Sequence, residues 1–241
     1  MQTKFKTTNI FIIILILVAI GVGIYIFINN KQSNENIQNT ETDIGINKKE
    51  FKIVAFGDSL TAGFGVDLKD SYPSILENTL NTKPEYKNYN LNFKVINMGV
   101  SGETSSGGLD RVDFVLEQKP DLVLLGLGAN DMLRSTDPAL VLSNIDSMIE
   151  KITKSNVPVV LLGMQSTASN GRTYKKTFDS IYYFIAEKYN IPLVPFVLEG
   201  VVLMQSLNTS DGIHPNRLGY EKIIEKNILP ILKPTLKKII D

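Results

Sequence analysis

Five short apolar runs recur after residue 50, at 51–56, 93–98, 122–127, 157–164 and 191–197. They are rich in Val, Ile and Leu, as strands buried on both faces should be. Pro158 lies at the opening of its run, where a missing N–H is tolerable. Between the runs lie helical faces. Leu109, Val112 and Leu116 are spaced three and four apart, as are Leu142, Ile145, Ile149 and Ile152, and then Phe178, Ile181, Ile185 and Tyr189. Asp137-Pro138 supplies an N-cap followed by proline at the first helical position. A last helical segment spans 218–228, and Pro230 should end or kink it. Alternation of this kind predicts an α/β domain, a parallel sheet covered by helices on both faces with right-handed crossovers.

Composition narrows the chemistry. The 241 residues are 43% hydrophobic, enough for a packed core. Lys+Arg and Asp+Glu are both 25, so no basic nucleic-acid face is advertised. There is no cysteine, which excludes disulfides, thiolate metal sites, a cysteine nucleophile and a cysteine-linked lipid anchor. The single histidine, His214, excludes a multi-histidine metal site within one chain and must serve any mechanism that needs a histidine base.

Residues 10–28 carry no charge and are long enough to cross a bilayer as a helix. Lys4 and Lys6 precede them, so residues 1–9 are expected in the cytoplasm and the remainder outside. The run is too long for a cleaved signal peptide, and Ile26-Phe27-Ile28 is a poor cleavage site, so an uncleaved signal anchor is favoured over secretion after cleavage. Residues 29–49, rich in Asn, Gln, Thr and Lys without an apolar period, read as a flexible linker. The catalytic-size domain is then 50–241.

Open parallel sheets bind ligands at the carboxyl ends of their strands. The first run is followed by Gly57-Asp58-Ser59-Leu60, and the second by Gly99 to Thr104, with Gly102 inside it. The third leads to Gly128-Ala129-Asn130-Asp131, the fourth to the polar loop 165–171, and the fifth, after a longer loop, to Asp211-Gly212-Ile213-His214-Pro215-Asn216. Ser59 on a tight turn can expose a nucleophilic hydroxyl, or can simply cap a helix. A lone histidine is usually structural or solvated. Yet Asp211 three residues before His214 can reach Nδ1, fix the tautomer and leave Nε2 free to take a proton from a serine. Gly102 and Ser59 can offer backbone N–H groups, and Asn130 a side-chain N–H, to the oxyanion of an acyl-transfer intermediate. The plainer readings are a turn glycine and a loop amide. Arrangement after successive strands favours the chemical one.

Other signals fail. The glycines at 102, 107 and 108 have no lysine after them, no dinucleotide fingerprint follows the first run, and no Gly-x-Ser-x-Gly elbow exists. Asp58, Asp67, Asp70 and Asp131 have no calcium-loop spacing.

The four blocks Gly57–Leu60, 97–104, 128–131 and 211–216 resemble, in order, those of the SGNH, or GDSL, hydrolases, in particular the arylesterase, thioesterase and lysophospholipase branch, which Leu109-Asp110-Arg111 also resembles. The resemblance implies a three-layer α/β/α sandwich with a five-stranded parallel, flavodoxin-like sheet. It implies Ser59 as nucleophile, His214 and Asp211 as base and acid, an oxyanion hole from Ser59, Gly102 and Asn130, and no cofactor. Glu103 stands where Asp is common and Ala129 where Gly is common. The expected activity is hydrolysis of small-molecule or lipid esters, with no nucleic-acid partner. Alternatives are an O-acetyl esterase on cell-wall glycans or a non-catalytic binding module. The loops 165–172 and 198–210, with Gly163, Met164, Phe196, Val201 and Met204, are expected to shape an acyl pocket.

Overall fold

The computed structural model describes residues 48–240. In chain order these form β1 (Lys49–Gly57), α1 (Ser59–Ala62), α2 (Tyr72–Thr82), α3 (Pro84–Lys87), β2 (Leu91–Gly99), α4 (Ser105–Glu117) and β3 (Leu122–Gly126). There follow α5 (Ala129–Leu133), α6 (Pro138–Lys154), β4 (Val159–Leu162), α7 (Arg172–Tyr189), β5 (Leu193–Val194), α8 (Arg217–Ile223) and α9 (Leu229–Ile240). The five strands make one parallel sheet in the order β2-β1-β3-β4-β5. This is the doubly wound order of flavodoxin-like folds, with its switch point between β1 and β3. Helices α4, α6 and α7 pack side by side, and α2 packs on α8. Ile53, Val54, Ala55 and Phe56 of β1 and the Leu122–Leu125 stretch of β3 are wholly buried, as a sheet covered on both faces requires.

The expected membrane segment (10–28), cytoplasmic N-terminus (1–9) and all but the last two residues of the linker (29–49) lie outside the described residues. Among the described residues, no helix is long and apolar enough to cross a membrane. The domain starts one residue earlier than expected, since Lys49 already pairs with Leu91.

Several elements differ from the sequence expectation, each for a physical reason. The fifth run, 191–197, shrinks to Leu193–Val194, because Pro192 and Pro195 flank it without N–H groups to give a ladder. The fourth, 157–164, shortens between Pro158 and Gly163. A helix not expected from the sequence, α2, buries Tyr72, Leu76, Thr79 and Leu80, spaced three and four apart, behind Pro73 in its first turn. Pro230 does not stop the last helix. A single π-helical turn, Ile224–Ile228, sends the Leu229 N–H back to the Ile224 carbonyl, and the chain runs on through Pro230 and Pro234 as α9. Asn227 on that turn donates to the Val197 and Glu199 carbonyls, which fixes the loop after β5.

Candidate active site

Three glycines stand side by side at the carboxyl end of the sheet, Gly99 on β2, Gly57 on β1 and Gly126 on β3. A methyl group on Gly57 would collide with the Thr61 side chain and lie 2.6 Å from the Gly126 carbonyl; one on Gly99 would run into the Ala62 backbone. The row therefore lets α1 sit directly on the strand ends. Asp58 is the N-cap of α1. Its Oδ1 accepts from the Leu60 N–H at 3.0 Å, and its carbonyl from the Thr61 and Ala62 N–H groups. The capping role that the sequence left open for Ser59 thus belongs to its neighbour, and Ser59 is the first residue of the helix. Gly63, at φ +81°, closes the turn.

Ser59 Oγ lies 2.8 Å from His214 Nε2, across 155 residues of sequence. His214 Nδ1 lies 2.6 Å from Asp211 Oδ2. The other carboxylate oxygen of Asp211 accepts from the His214 and Ile213 backbone N–H groups at 3.0 and 2.8 Å and from Thr209 Oγ1 at 2.8 Å. These hydrogen bonds, the backbone ones first, hold the Asp211 carboxyl well below the usual carboxylate range. An ionised Asp211 can only accept, so Nδ1 carries the proton and Nε2 accepts from the Ser59 hydroxyl. The Phe64 ring covers the imidazole, 4.7 Å between centroids.

Gly102 sits at φ +81°, in a turn where the Glu103 N–H reaches the Val100 carbonyl. That backbone requires glycine. Its carbonyl accepts from Arg134 Nη2 at 3.0 Å. Among the described residues, no protein acceptor takes the backbone N–H of Gly102 or of Ser59. Asn130 Nδ2 donates to the Glu103 carbonyl at 3.0 Å and stands 3.5 Å from Asp58 Oδ2, a distance so long that its second N–H is easily redirected. Neither Asn130 nor Gly102 is held by chance. Asp131 accepts from the Ser105 backbone N–H (2.7 Å) and hydroxyl (2.8 Å), and Asn144 donates to the same hydroxyl, all buried. The carboxylate lies at the N-terminus of α4, where the helix dipole favours it. Asp70, another acidic residue noted in the sequence, pairs with Arg217 away from the serine.

Sequence reasoning missed the strap beneath the Gly102 turn. Arg111, on α4, binds Glu103 with Nε at 2.7 Å from Oε1 and with Nη2 on Oε2, while Nη2 also donates to the Met98 and Gly57 carbonyls. Its guanidinium stacks over Phe56 at 4.6 Å. The signal was the eight-residue spacing of Glu103 and Arg111, but their contact needs the turn that folds the strand end back onto α4. Asp58 is also buried, and burial pushes its carboxyl up to about 6.

Ser59, Gly102, Asn130 and His214 open onto one cavity of about 380 Å³, lined beyond them mainly by apolar side chains. Met164 and Phe196 line it as expected, with Leu60, Met132 and Leu198. Val201 does not; it is fully buried in the core. Met204 is turned to solvent, also off the cavity wall. The loop 165–172 contributes Gln165 and Thr167. Two wider clefts, on other parts of the surface, contain none of the four.

A family model described as the GDSL-like lipase/acylhydrolase family matches residues 55–222. Esterase TesA of Pseudomonas aeruginosa is 36% identical over 185 residues, 76% of this chain and 89% of that protein. The Escherichia coli protein named thioesterase 1/protease 1/lysophospholipase L1 is 32% identical over 166 residues, 68% of this chain and 76% of its own length. The crystal structure of TesA superposes with a TM-score of 0.68 at 34% identity, covering 78% of this chain and 99% of that one. The crystallised TesA chain is thus matched almost end to end by residues of this domain. The likeness reaches from the strand-end glycines to the loop that carries His214, and the chain belongs to the GDSL-like lipase/acylhydrolase family of SGNH hydrolases.

Proposed function

We propose that the protein is a serine esterase that cleaves carboxylic esters through an acyl-enzyme on Ser59. The observation that carries this is the unbroken line from Ser59 Oγ through the imidazole to Asp211, at 2.8 and 2.6 Å, opening onto an apolar cavity beside three available donors. Ser59 Oγ attacks the ester carbon as its proton passes to His214 Nε2. The negative oxygen that develops is received by the Ser59 and Gly102 backbone N–H groups and the freed Asn130 amide N–H. The carbon–oxygen bond to the alcohol breaks, and the imidazolium returns the proton to that alcohol. Water then adds to the acyl-enzyme with His214 as base, and the acid leaves with Ser59 restored. Asp211 stays ionised throughout, holding the tautomer and the positive ring. Met164, Phe196 and Leu198 suit the acyl side of the ester. The relatives named esterase and lysophospholipase support an ester as the bond cleaved.

The charge-free run at residues 10–28 behind Lys4 and Lys6 supports a domain held on the outer side of the cytoplasmic membrane. Protease added to intact cells should then degrade the domain; full protection would sink this placement. For the chemistry, Ser59→Ala should lower hydrolysis of a short-chain nitrophenyl ester by ~10³-fold or more with the thermal midpoint retained. A wild-type rate in that variant would refute the proposal.

A further inference from the structure

Large apolar side chains stand in the open around the mouth of the catalytic cavity. Phe64, Leu133, Val202, Leu203 and Ile213 all border it, and each is exposed. Leu203 is the extreme case: 86% of its surface is bare. Its backbone lies at φ +63°, a region that leucine rarely adopts. A strained backbone that holds leucine in water is an outlier whose explanation is sought in function.

No carboxylate is among the residues that line the cavity. On the strand-end loops Asp58 and Asp131 are buried, Glu103 is paired with Arg111 and Asp211 holds His214, while Glu199 stands exposed away from the cavity. Arg134, next to Leu133 on the rim, is exposed, and its partner is the Gly102 carbonyl. Among the described residues, no carboxylate pairs with it. An apolar rim with an uncompensated cation complements an anionic lipid surface.

We propose that this rim docks on an anionic phospholipid layer, with Leu203 and its neighbours among the acyl chains and Arg134 at the level of the phosphates. The inference rests on the reading of the cavity as an ester site. The cavity itself selects the occupant. A protein partner or a second copy seated on the rim would close the mouth, whereas a lipid layer presents ester bonds to it.

The test uses residues 48–241, which hold the compact unit and correspond closely to the 78% of the chain that the crystallised relative matches, with co-sedimentation on vesicles of phosphatidylglycerol or of phosphatidylcholine. Wild type should sediment with phosphatidylglycerol and much less with phosphatidylcholine. Leu203→Asn should bind phosphatidylglycerol ~10-fold or more weakly, the worth of one buried leucine. Asn tolerates the left-handed region, so this variant should melt no lower than wild type, and ~2–4 °C higher if the strain is fully released. Its rate on water-soluble nitrophenyl acetate, measured beside this, should fall far less than its vesicle binding. Arg134→Gln should lose the preference for phosphatidylglycerol. Failure of the wild type to sediment, equal sedimentation of Leu203→Asn, equal retention of the wild type on both lipids, or a preference kept by Arg134→Gln would overturn the proposal. So would a dimer that Leu203→Asn dissolves. Vesicle binding without nitrophenyl acetate hydrolysis would instead sink the esterase reading and leave the surface standing.

Discussion

Ser59 owes its position to residues that do no chemistry. Gly57 leaves room for Thr61, and Asp58 caps the one-turn helix that aims the hydroxyl. Asp58 titrates in an informative direction. Burial raises its carboxyl from 3.8 to about 6, so the neutral form is the one the fold favours. Its contribution to stability is complete below about pH 4 and is lost as pH rises through about 6, in total ~3 kcal/mol. Asn can still accept from the Leu60 N–H. Asp58→Asn should therefore remove that part of the slope of unfolding free energy between pH 4 and 6, as read by urea denaturation. An unchanged slope would place the titration elsewhere. Asp211 acts in the opposite sense. Its lowered value stabilises the fold above the ordinary carboxylate range and fades as pH falls through it. Gly102→Ala should cost ~1–2 kcal/mol from its positive φ, and should lower kcat by ~10²-fold by disturbing the N–H proposed to receive the oxyanion. Stability measured beside kcat separates the two. His214 was legible because the chain has no other histidine, and Gly102 because a glycine and polar residues follow a strand. The burial of Asp58 was not legible, since it depends on three glycines meeting across strands far apart in sequence.

At the scale of elements, the Glu103–Arg111 strap ties the turn after β2 to α4 and to the ends of β1 and β2. Both side chains are largely buried, so removing one charge strands the other. Glu103→Gln should destabilise the domain by ~3–5 kcal/mol in chemical denaturation, and Glu103→Asp, which keeps the charge, by clearly less. Equal losses would mean that the charge is not what the strap depends on. Strand and helix types were legible wherever the apolar period was long, as in α6 and α7. Boundaries were not. Pro192 and Pro195 cut β5 to two residues, and the π-helical turn before Pro230 lets a helix continue where proline ordinarily ends one. Both outcomes turn on where the missing N–H would have pointed, which a hydropathy pattern does not carry. The helix α2 had a legible spacing, Tyr72, Leu76 and Leu80, but only packing on α8 shows why that face is needed.

In the whole molecule, the sheet order places Ser59 after β1 and Asn130 after β3, on either side of the switch point where the crevice forms. Gly102 arrives from the flanking β2, and His214 from the long loop after β5. That gathering is what made four sequence blocks readable as one site without coordinates. The cavity wall was only partly readable: Met164 and Phe196 face it, while Val201 is core and Met204 faces water, a difference set by how the 198–210 loop turns. Since the crystallised TesA chain is matched almost end to end by residues of this domain, removing residues 1–47 should leave kcat/KM on a soluble ester unchanged; a large loss would give those residues a part in the site.

If Ser59 is an activated nucleophile, a fluorophosphonate probe followed by peptide mass spectrometry will find it. One adduct per chain is expected, on the peptide carrying Ser59, with labelling lost in His214→Ala although Ser59 remains. An unlabelled wild-type protein, an adduct on another residue, or labelling that survives His214→Ala would contradict it.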